Sequence, residues 1–346
     1  MPAQTVSVLG GGSFGTVIAN IIAENGFRVN FWMRSCELVE QVNTLHENPR
    51  YLPGYALHED VVATDDIAAA VSGSRLIFVA VPSAYFRTVV QQMKPALTDD
   101  SMLVSTTKGI EAGTFLLMSQ VLHEELPGAR VGVLSGPNLA GEIANRSLTG
   151  TVIASPHSSV RDRVKDVLRS DYFRVYTNDD MFGVELGGSL KNIYAIISGL
   201  ASAKGMGQNT SSMLITRSLT EMARFGRELG ADPMTFLGLA GVGDLIVTCS
   251  SSLSRNFRVG LALGQGKPLA EAVADIGQVA EGVNTLKQVK EKADQLGVYM
   301  PLANGLYQIV YEGHPVDQVI AALMLGEGAL DVEYEANQAK QLSRKE

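Results

Sequence analysis

The opening residues leave this chain few folds to choose from. A β-type run, Val6-Ser7-Val8-Leu9, leads straight into Gly10-Gly11-Gly12-Ser13-Phe14-Gly15, and a helical pattern follows from Val17 to Glu24. Glycines spaced G-x-G-x-x-G between a strand and a helix meet three separate demands. Gly10 permits the tight turn, Gly12 lets a pyrophosphate approach the backbone, and Gly15 allows the helix to pack closely on the strand. The phosphates then lie over the amides at the helix N-terminus. In that context the spacing predicts a dinucleotide-binding βαβ unit; the plainer alternative is a glycine-rich turn that only reverses the chain.

The texture of the next 150 or so residues agrees. Val29–Trp32, Leu76–Val81, Leu103–Ser105, Val131–Leu134 and Val152–Ala154 are mostly unbroken apolar runs. Strands buried on both faces of a parallel sheet read this way, and helical stretches separate several of them. From about Gly187 the β-type runs stop. Leu186, Leu190, Ile193 and Ile197 fall on one helix face, and Gly187-Gly188 is expected to open the first long helix. Met213–Leu229, Leu269–Ile276, Thr285–Leu296 and Val316–Leu325 repeat the pattern, with Asp232-Pro233 and His314-Pro315 resembling helix entries. The expected fold is therefore α/β: an N-terminal Rossmann-like doubly wound sheet in residues 1–186, followed by an all-helical C-terminal domain in residues 187–346. No Pro/Ser-rich linker separates them, so a shared interface is expected. The polar run Gln338–Glu346 reads as a fraying end.

Composition closes off other classes. With 28 Lys and Arg against 36 Asp and Glu, the net charge of −8 argues against nucleic acid or an anionic membrane as partner. A few local cations still suffice for a small anion. Cys36 and Cys249 are too few for a disulfide framework, and the five histidines lack metal-ligand spacing, so no metal is expected. No targeting segment opens the chain and no apolar run reaches the ~18 residues of a membrane span. The expectation is a soluble, cytoplasmic protein without membrane insertion.

Several side chains are candidates for chemistry. Arg34 follows the second strand, nineteen positions after Gly15, where an NAD site usually carries an acidic residue for the ribose 2′-hydroxyl. An arginine there suits a 2′-phosphate, which favours NADPH, with NADH the weaker alternative and a solvated surface arginine the plain one. Lys108, in Ser105-Thr106-Thr107-Lys108-Gly109, ends one strand, and Ser135-Gly136-Pro137-Asn138 ends another. Both are expected on the edge where ligands of open α/β sheets bind, with a plain surface lysine the alternative for Lys108. Lys191 neighbours the apolar face of its helix, and a partly buried lysine loses proton affinity and can serve as a base. Its alternative is a lysine snorkelling at a domain seam. Asp244, in Gly241-Val242-Gly243-Asp244-Leu245, is either presented by a constrained loop or an N-cap. Ser254-Arg255-Asn256 offers a hydroxyl, a guanidinium and an amide to a phosphate, or else begins an ordinary helix.

Taken together, Gly10–Gly15 (GGGSFG), Thr107–Glu111 (TKGIE), Gly183–Asn192 (GVELGGSLKN), Leu239–Cys249 (LAGVGDLIVTC), Ser254–Asn256 (SRN) and Val279–Gly282 (VAEG) resemble the bacterial-type NAD(P)-dependent glycerol-3-phosphate dehydrogenases. The likeness covers nearly the whole chain. It implies reversible reduction of dihydroxyacetone phosphate to sn-glycerol 3-phosphate, supplying glycerophospholipid synthesis, by a homodimer. It also implies roles. Lys191 is the proton-transferring residue at C2, Lys108 touches cofactor and substrate, and Asp244 lies beside the reacting hydroxyl. Ser254, Arg255 and Asn256 hold the phosphate, with Arg255 also reaching the cofactor. Ser13, Phe14, Arg34, Ala140, Val279 and Glu281 line the NADPH site, with Tyr51 near the adenosine, and Gly136 and Asn138 complete the substrate pocket. One departure stands out: Asn138 replaces the family's usual small hydroxyl residue, and Leu139 the aromatic that often follows. Its amide is expected to donate to substrate in place of the hydroxyl. The competing readings are a 3-hydroxy acid or 6-phosphogluconate-type dehydrogenase of similar architecture, and an NADPH sensor without turnover.

Overall fold

The computed structural model describes residues 4–277 and 279–326, so the polar run 338–346 and Gln278 lie outside the described residues. The described residues form ten strands: β1 (Thr5–Leu9), β2 (Arg28–Trp32), β3 (Glu47–Asn48), β4 (Leu52–Ala56), β5 (Val61–Thr64), β6 (Leu76–Val79), β7 (Met102–Ser105), β8 (Arg130–Ser135), β9 (Thr149–Ala154) and β10 (Phe173–Asn178). Eight form one sheet in the order β10-β9-β8-β7-β6-β1-β2-β5, while β3 and β4 make a separate hairpin. Neighbours in the sheet are parallel except for the antiparallel pair β8–β9. The chain winds from β1 outward to β2 and β5, then returns to β6 on the other side of β1. That reversal opens a crevice beyond the carboxyl ends of β1 and β6, the position where doubly wound sheets bind ligands.

The central strands match the runs expected from sequence; β5, β10 and the hairpin do not. Both sheet edges alternate in burial, with Val62 and Tyr176 facing solvent. An edge strand packed on one face lacks the unbroken apolar run that marks a central one.

In the helical half, the long central helix spans Met181–Ala203 and is buried over most of its length. It starts six residues before the expected opening at Gly187, because Asp180 caps it: the carboxylate accepts from Gly183 N at 2.8 Å. A division after residue 186 therefore falls within a continuous helix. This helix crosses the Arg255–Gly264 helix backbone to backbone; a methyl group on Gly199 or Gly260 would strike the carbonyl of Phe257 or Ile196. The sheet carries apolar cores on its two faces, and the helices enclose another of their own. A small cluster of Val133, Val152, Ala154, Val184 and Ala240 joins the two halves, the shared interface that the missing linker predicts.

Candidate active site

The glycine-rich turn is shaped by steric necessity. Gly10 sits at φ 124°, and a side chain there would collide with the Ala80 carbonyl of the neighbouring strand end. A methyl on Gly15 would strike Gly10 O, whereas one on Gly12 meets nothing within 4 Å. Gly12 therefore faces open space at the N-terminus of the Ser13–Glu24 helix, which has no side-chain cap. Amides left free beside an open cradle are what a dinucleotide pyrophosphate requires, so the residues present fit the cofactor.

Sequence reasoning missed the residue that holds this turn. Asn48, fully buried in the hairpin, donates through Nδ2 to Gly11 O at 2.9 Å and to Thr16 Oγ1 at 2.8 Å. The hairpin is tied again where Ser13 Oγ donates to Tyr51 O at 2.8 Å. A lone asparagine more than thirty residues away carries no local signal of such a task. Arg34 is exposed just past β2, its guanidinium 5.4 Å from the Tyr85 ring centroid. Ala140 opens a short helix and packs with Phe14 against the sheet core. Val279 is exposed, while Glu281 reaches across to the end of β6. Its two carboxylate oxygens accept from Ser83 N at 2.9 Å and Ser83 Oγ at 2.7 Å.

At the seam between the halves, three charged side chains converge from distant parts of the chain. Lys108 comes from the loop after β7, Lys191 from the middle of the Met181–Ala203 helix, and Asp244 from the first turn of the Asp244–Ser250 helix. Lys191 Nζ donates to Asp244 Oδ1 and Lys108 Nζ to Asp244 Oδ2, each at 2.5 Å. Asp244 is 1% exposed and Lys191 6%. Asp244 does not cap its helix through its side chain, since Gly243 holds the N-cap position. Thr248, one turn further on and grouped with Asp244 by position but given no role, accepts through its hydroxyl from Lys191 Nζ at 2.6 Å. Burial pushes Lys191 down to about 7, and the Lys108 cation acts in the same direction against the pull of Asp244. One carboxylate between two ammoniums leaves surplus positive charge, suited to a phosphate or a developing alkoxide.

The rest of the expected pocket adjoins this cluster. Lys108 Nζ also donates to Gly136 O at 3.0 Å, which brings in the end of β8. Asn138, expected to donate to substrate, gives one amide hydrogen to Thr151 Oγ1 at 2.9 Å and keeps the other. Thr151 spends its own hydrogen on Ser135 O at 3.1 Å, so its oxygen must accept from Asn138. The Ser-Arg-Asn triplet does start a helix: Ser254 Oγ accepts from Phe257 N at 3.3 Å. Asn256 donates to Asn192 Oδ1 at 2.9 Å and accepts from Gly282 N at 3.0 Å, leaving one amide hydrogen for a ligand. Arg255 lies between them; desolvation of its guanidinium pushes its pKa down, and the Glu281 carboxylate opposes that shift. Arg34 and Tyr51 belong to the glycine-rich turn rather than to the lysine cluster.

Comparison with known proteins places this geometry. Residues 5–161 match the model of the NAD-dependent glycerol-3-phosphate dehydrogenase N-terminus, and residues 180–321 that of the C-terminus. A glycerol-3-phosphate dehydrogenase (NAD(P)+) from Azotobacter vinelandii is 59% identical over 96% of this chain and 97% of its own. This chain belongs to the NAD-dependent glycerol-3-phosphate dehydrogenase family. A relative of the same name from Pseudomonas aeruginosa is 58% identical over 96% of this chain and 97% of its own. The solved glycerol-3-phosphate dehydrogenase of Coxiella burnetii superposes with a TM-score of 0.90 at 38% identity, covering 94% of this chain and 99% of that one. Membership makes the chain an NAD(P)-dependent oxidoreductase acting on a small molecule. Among the described residues, no cluster of metal-ligating side chains is present and no helix is long and apolar enough to cross a membrane.

Proposed function

We propose that this glycerol-3-phosphate dehydrogenase reduces dihydroxyacetone phosphate to sn-glycerol 3-phosphate, reversibly, for glycerophospholipid synthesis, with NADPH preferred over NADH. The observation that carries the proposal is the buried Lys191–Asp244–Lys108 cluster beside the cofactor crevice. Bound at the glycine-rich turn, the cofactor would supply the hydride for C2. Gly10, Gly12, Ser13, Phe14 and Gly15 would hold its pyrophosphate, Arg34 would pair with the 2′-phosphate and Tyr51 would serve the adenosine end. Ala140, Val279 and Glu281 would complete that wall.

Lys191, protonated, gives its proton to the oxygen at C2 as charge builds there. With a pKa of about 7 it holds or releases that proton near neutrality. Lys108 stabilises the same oxygen as a fixed cation, and Asp244 orients both ammoniums. Arg255, Ser254 and the remaining Asn256 hydrogen take the phosphate, with Gly136 and Asn138 closing the other side. An NADPH sensor has no use for two ammoniums meeting on one buried carboxylate. A hydroxy-acid dehydrogenase has none for the Ser-Arg-Asn helix start beside them. The family resemblance further supports a cytoplasmic homodimer.

The test is NADPH oxidation with dihydroxyacetone phosphate, run on the wild type beside Lys191→Ala. Turnover should drop by about 10²–10⁴-fold, the range general acid–base catalysis supplies, while NADPH still binds. Equal rates in the two proteins would remove Lys191 from the reaction. A folded wild type that binds NADPH and leaves this ketone untouched would move the assignment to the hydroxy-acid dehydrogenases.

A further inference from the structure

Three polar side chains on the Met181–Ala203 helix, Glu185, Ser189 and Asn192, fall at i, i+4 and i+7 and so share a face. Glu185 and Asn192 bond to the segment that carries Lys108, and Ser189, whose hydroxyl donates to Glu185 O at 3.1 Å, lies against it. Glu185 accepts from Ser119 N at 3.0 Å and from Ser119 Oγ at 2.5 Å. Ser189 Oγ lies 3.4 Å from Gly109 O, and Asn192 Nδ2 donates to Lys108 O at 3.4 Å. On the same face, Gly188 lies beside the end of β8 and the Lys108 stem; a methyl there would press on Ser135 Oγ at 2.6 Å and meet Lys108 Cγ at a normal 3.6 Å.

The segment between Lys108 and Ser119 is closed on itself. Ile110 and Leu117 form a β-bridge, and Glu111 N donates to Leu116 O at 2.8 Å. A shift at Ser119 is therefore passed to Lys108 rather than absorbed. Glu185 is 2% exposed, as is Ser119, and the carboxylate sits at the start of the Met118–Glu125 helix, where the helix dipole favours negative charge. Nothing in the proposed reaction consumes this buried acid, yet it stands on the helix that presents Lys191.

We infer that Glu185, clasping Ser119, is a positioning residue that sets the register of the Lys108 segment against Lys191, so that both ammoniums meet Asp244. The inference rests on the roles proposed above for those two lysines. A displacement of about 1 Å at a catalytic group costs on the order of 10²-fold in rate, so the clasp governs turnover more than cofactor binding.

Three variants test it: Glu185→Met, which keeps the length and removes the polar grip, Glu185→Gln, and Ser119→Ala. Glu185→Met is expected to lose about 10–100-fold in kcat toward dihydroxyacetone phosphate, with KM for NADPH within about twofold of wild type. Glu185→Gln recovers most of that loss, because its amide accepts from Ser119 N and donates to Ser119 Oγ. Ser119→Ala added to Glu185→Met costs nothing more, since the two act as one unit. Unchanged kcat in Glu185→Met, a matching rise in the NADPH KM, or a full additive loss from Ser119→Ala overturns the inference. Should Glu185→Met fail to fold, Ser119→Ala alone decides: lower kcat at constant NADPH KM supports the clasp, and unchanged kcat refutes it.

A second readout needs no substrate. If Lys108 withdraws from Asp244, Lys191 loses a repelling neighbour, and an NMR titration should find its pKa raised in Glu185→Met; an unmoved value overturns the inference. A wild type inactive on dihydroxyacetone phosphate would instead sink the functional assignment and leave this titration to judge the clasp.

Discussion

The two ends of the crevice recognise charge in opposite ways. At the phosphate end, recognition is built from backbone: an uncapped helix N-terminus, and glycines at 10, 12 and 15 whose missing side chains make the shape. At the reacting end it is built from side chains delivered over long stretches of chain. Lys108 and Lys191 reach Asp244 across 136 and 53 residues. The first solution lies within one short stretch of chain, and distant residues such as Asn48 only brace it. The second exists only once the sheet and the helices have docked, and it buries charges that must then be paired.

That difference is open to mutation from either side. Of the variants that separate the two ends, Asp244→Ala should have the largest effect, because it removes the one carboxylate that both lysines share at the seam. Breaking a buried pair costs about 3–5 kcal/mol, and turnover should fall about 10²–10³-fold as oxyanion stabilisation and lysine alignment go together. NADPH affinity, measured by fluorescence titration, should stay within about threefold by the additivity of well-separated sites. Gly15→Ala should do the reverse. Its methyl meets Gly10 O, so the turn must shift; affinity for both NADPH and NADH should weaken by roughly 10-fold, about 1.4 kcal/mol. If Asp244→Ala abolished cofactor binding, or Gly15→Ala spared it, the two ends would not be separable.

Smaller effects distinguish charge from scaffold within the phosphate end. Arg34→Ala should raise the NADPH KM by about 10-fold and leave the NADH KM nearly unchanged, since one charge-assisted contact is worth about 1.5–3 kcal/mol at most. Asn48→Ala removes two hydrogen bonds from the turn and no cofactor charge. It should therefore raise both KM values alike, by a few-fold. Equal effects of Arg34→Ala on the two cofactors would remove the 2′-phosphate from its assignment.

What could be read in the sequence follows the same line. The glycine turn, the central strands and most of the helices are encoded within short windows, where a turn needs glycine and a buried strand needs an unbroken apolar run. Edge strands β5 and β10 escaped because half of each faces water. Asp180 displaced the start of the central helix because its cap precedes the apolar pattern. For the site, Lys108, Lys191 and Asp244 were each visible only as residues with an ordinary alternative; position in the sequence does not carry their meeting. Thr248 stood beside Asp244 in the sequence with no role to read, and Asn48 gave no signal, since each acts on a partner distant in sequence. Asn138 illustrates the limit differently: its chemistry was readable, but the direction of its amide was fixed by Thr151, a strand away.

The central claim is that Lys191 moves the proton, and the pH dependence of kcat/KM in both directions, which reports groups of the free enzyme, tests it most directly. Burial lowers its pKa to about 7. Reduction needs the protonated lysine, so its kcat/KM should fall as pH rises through that value. Oxidation of sn-glycerol 3-phosphate needs the neutral amine, so its kcat/KM should rise through the same value. Both inflections should vanish in Lys191→Ala. Two limbs running in the same direction, or an inflection that survives in Lys191→Ala, would contradict the account and place the proton on another group.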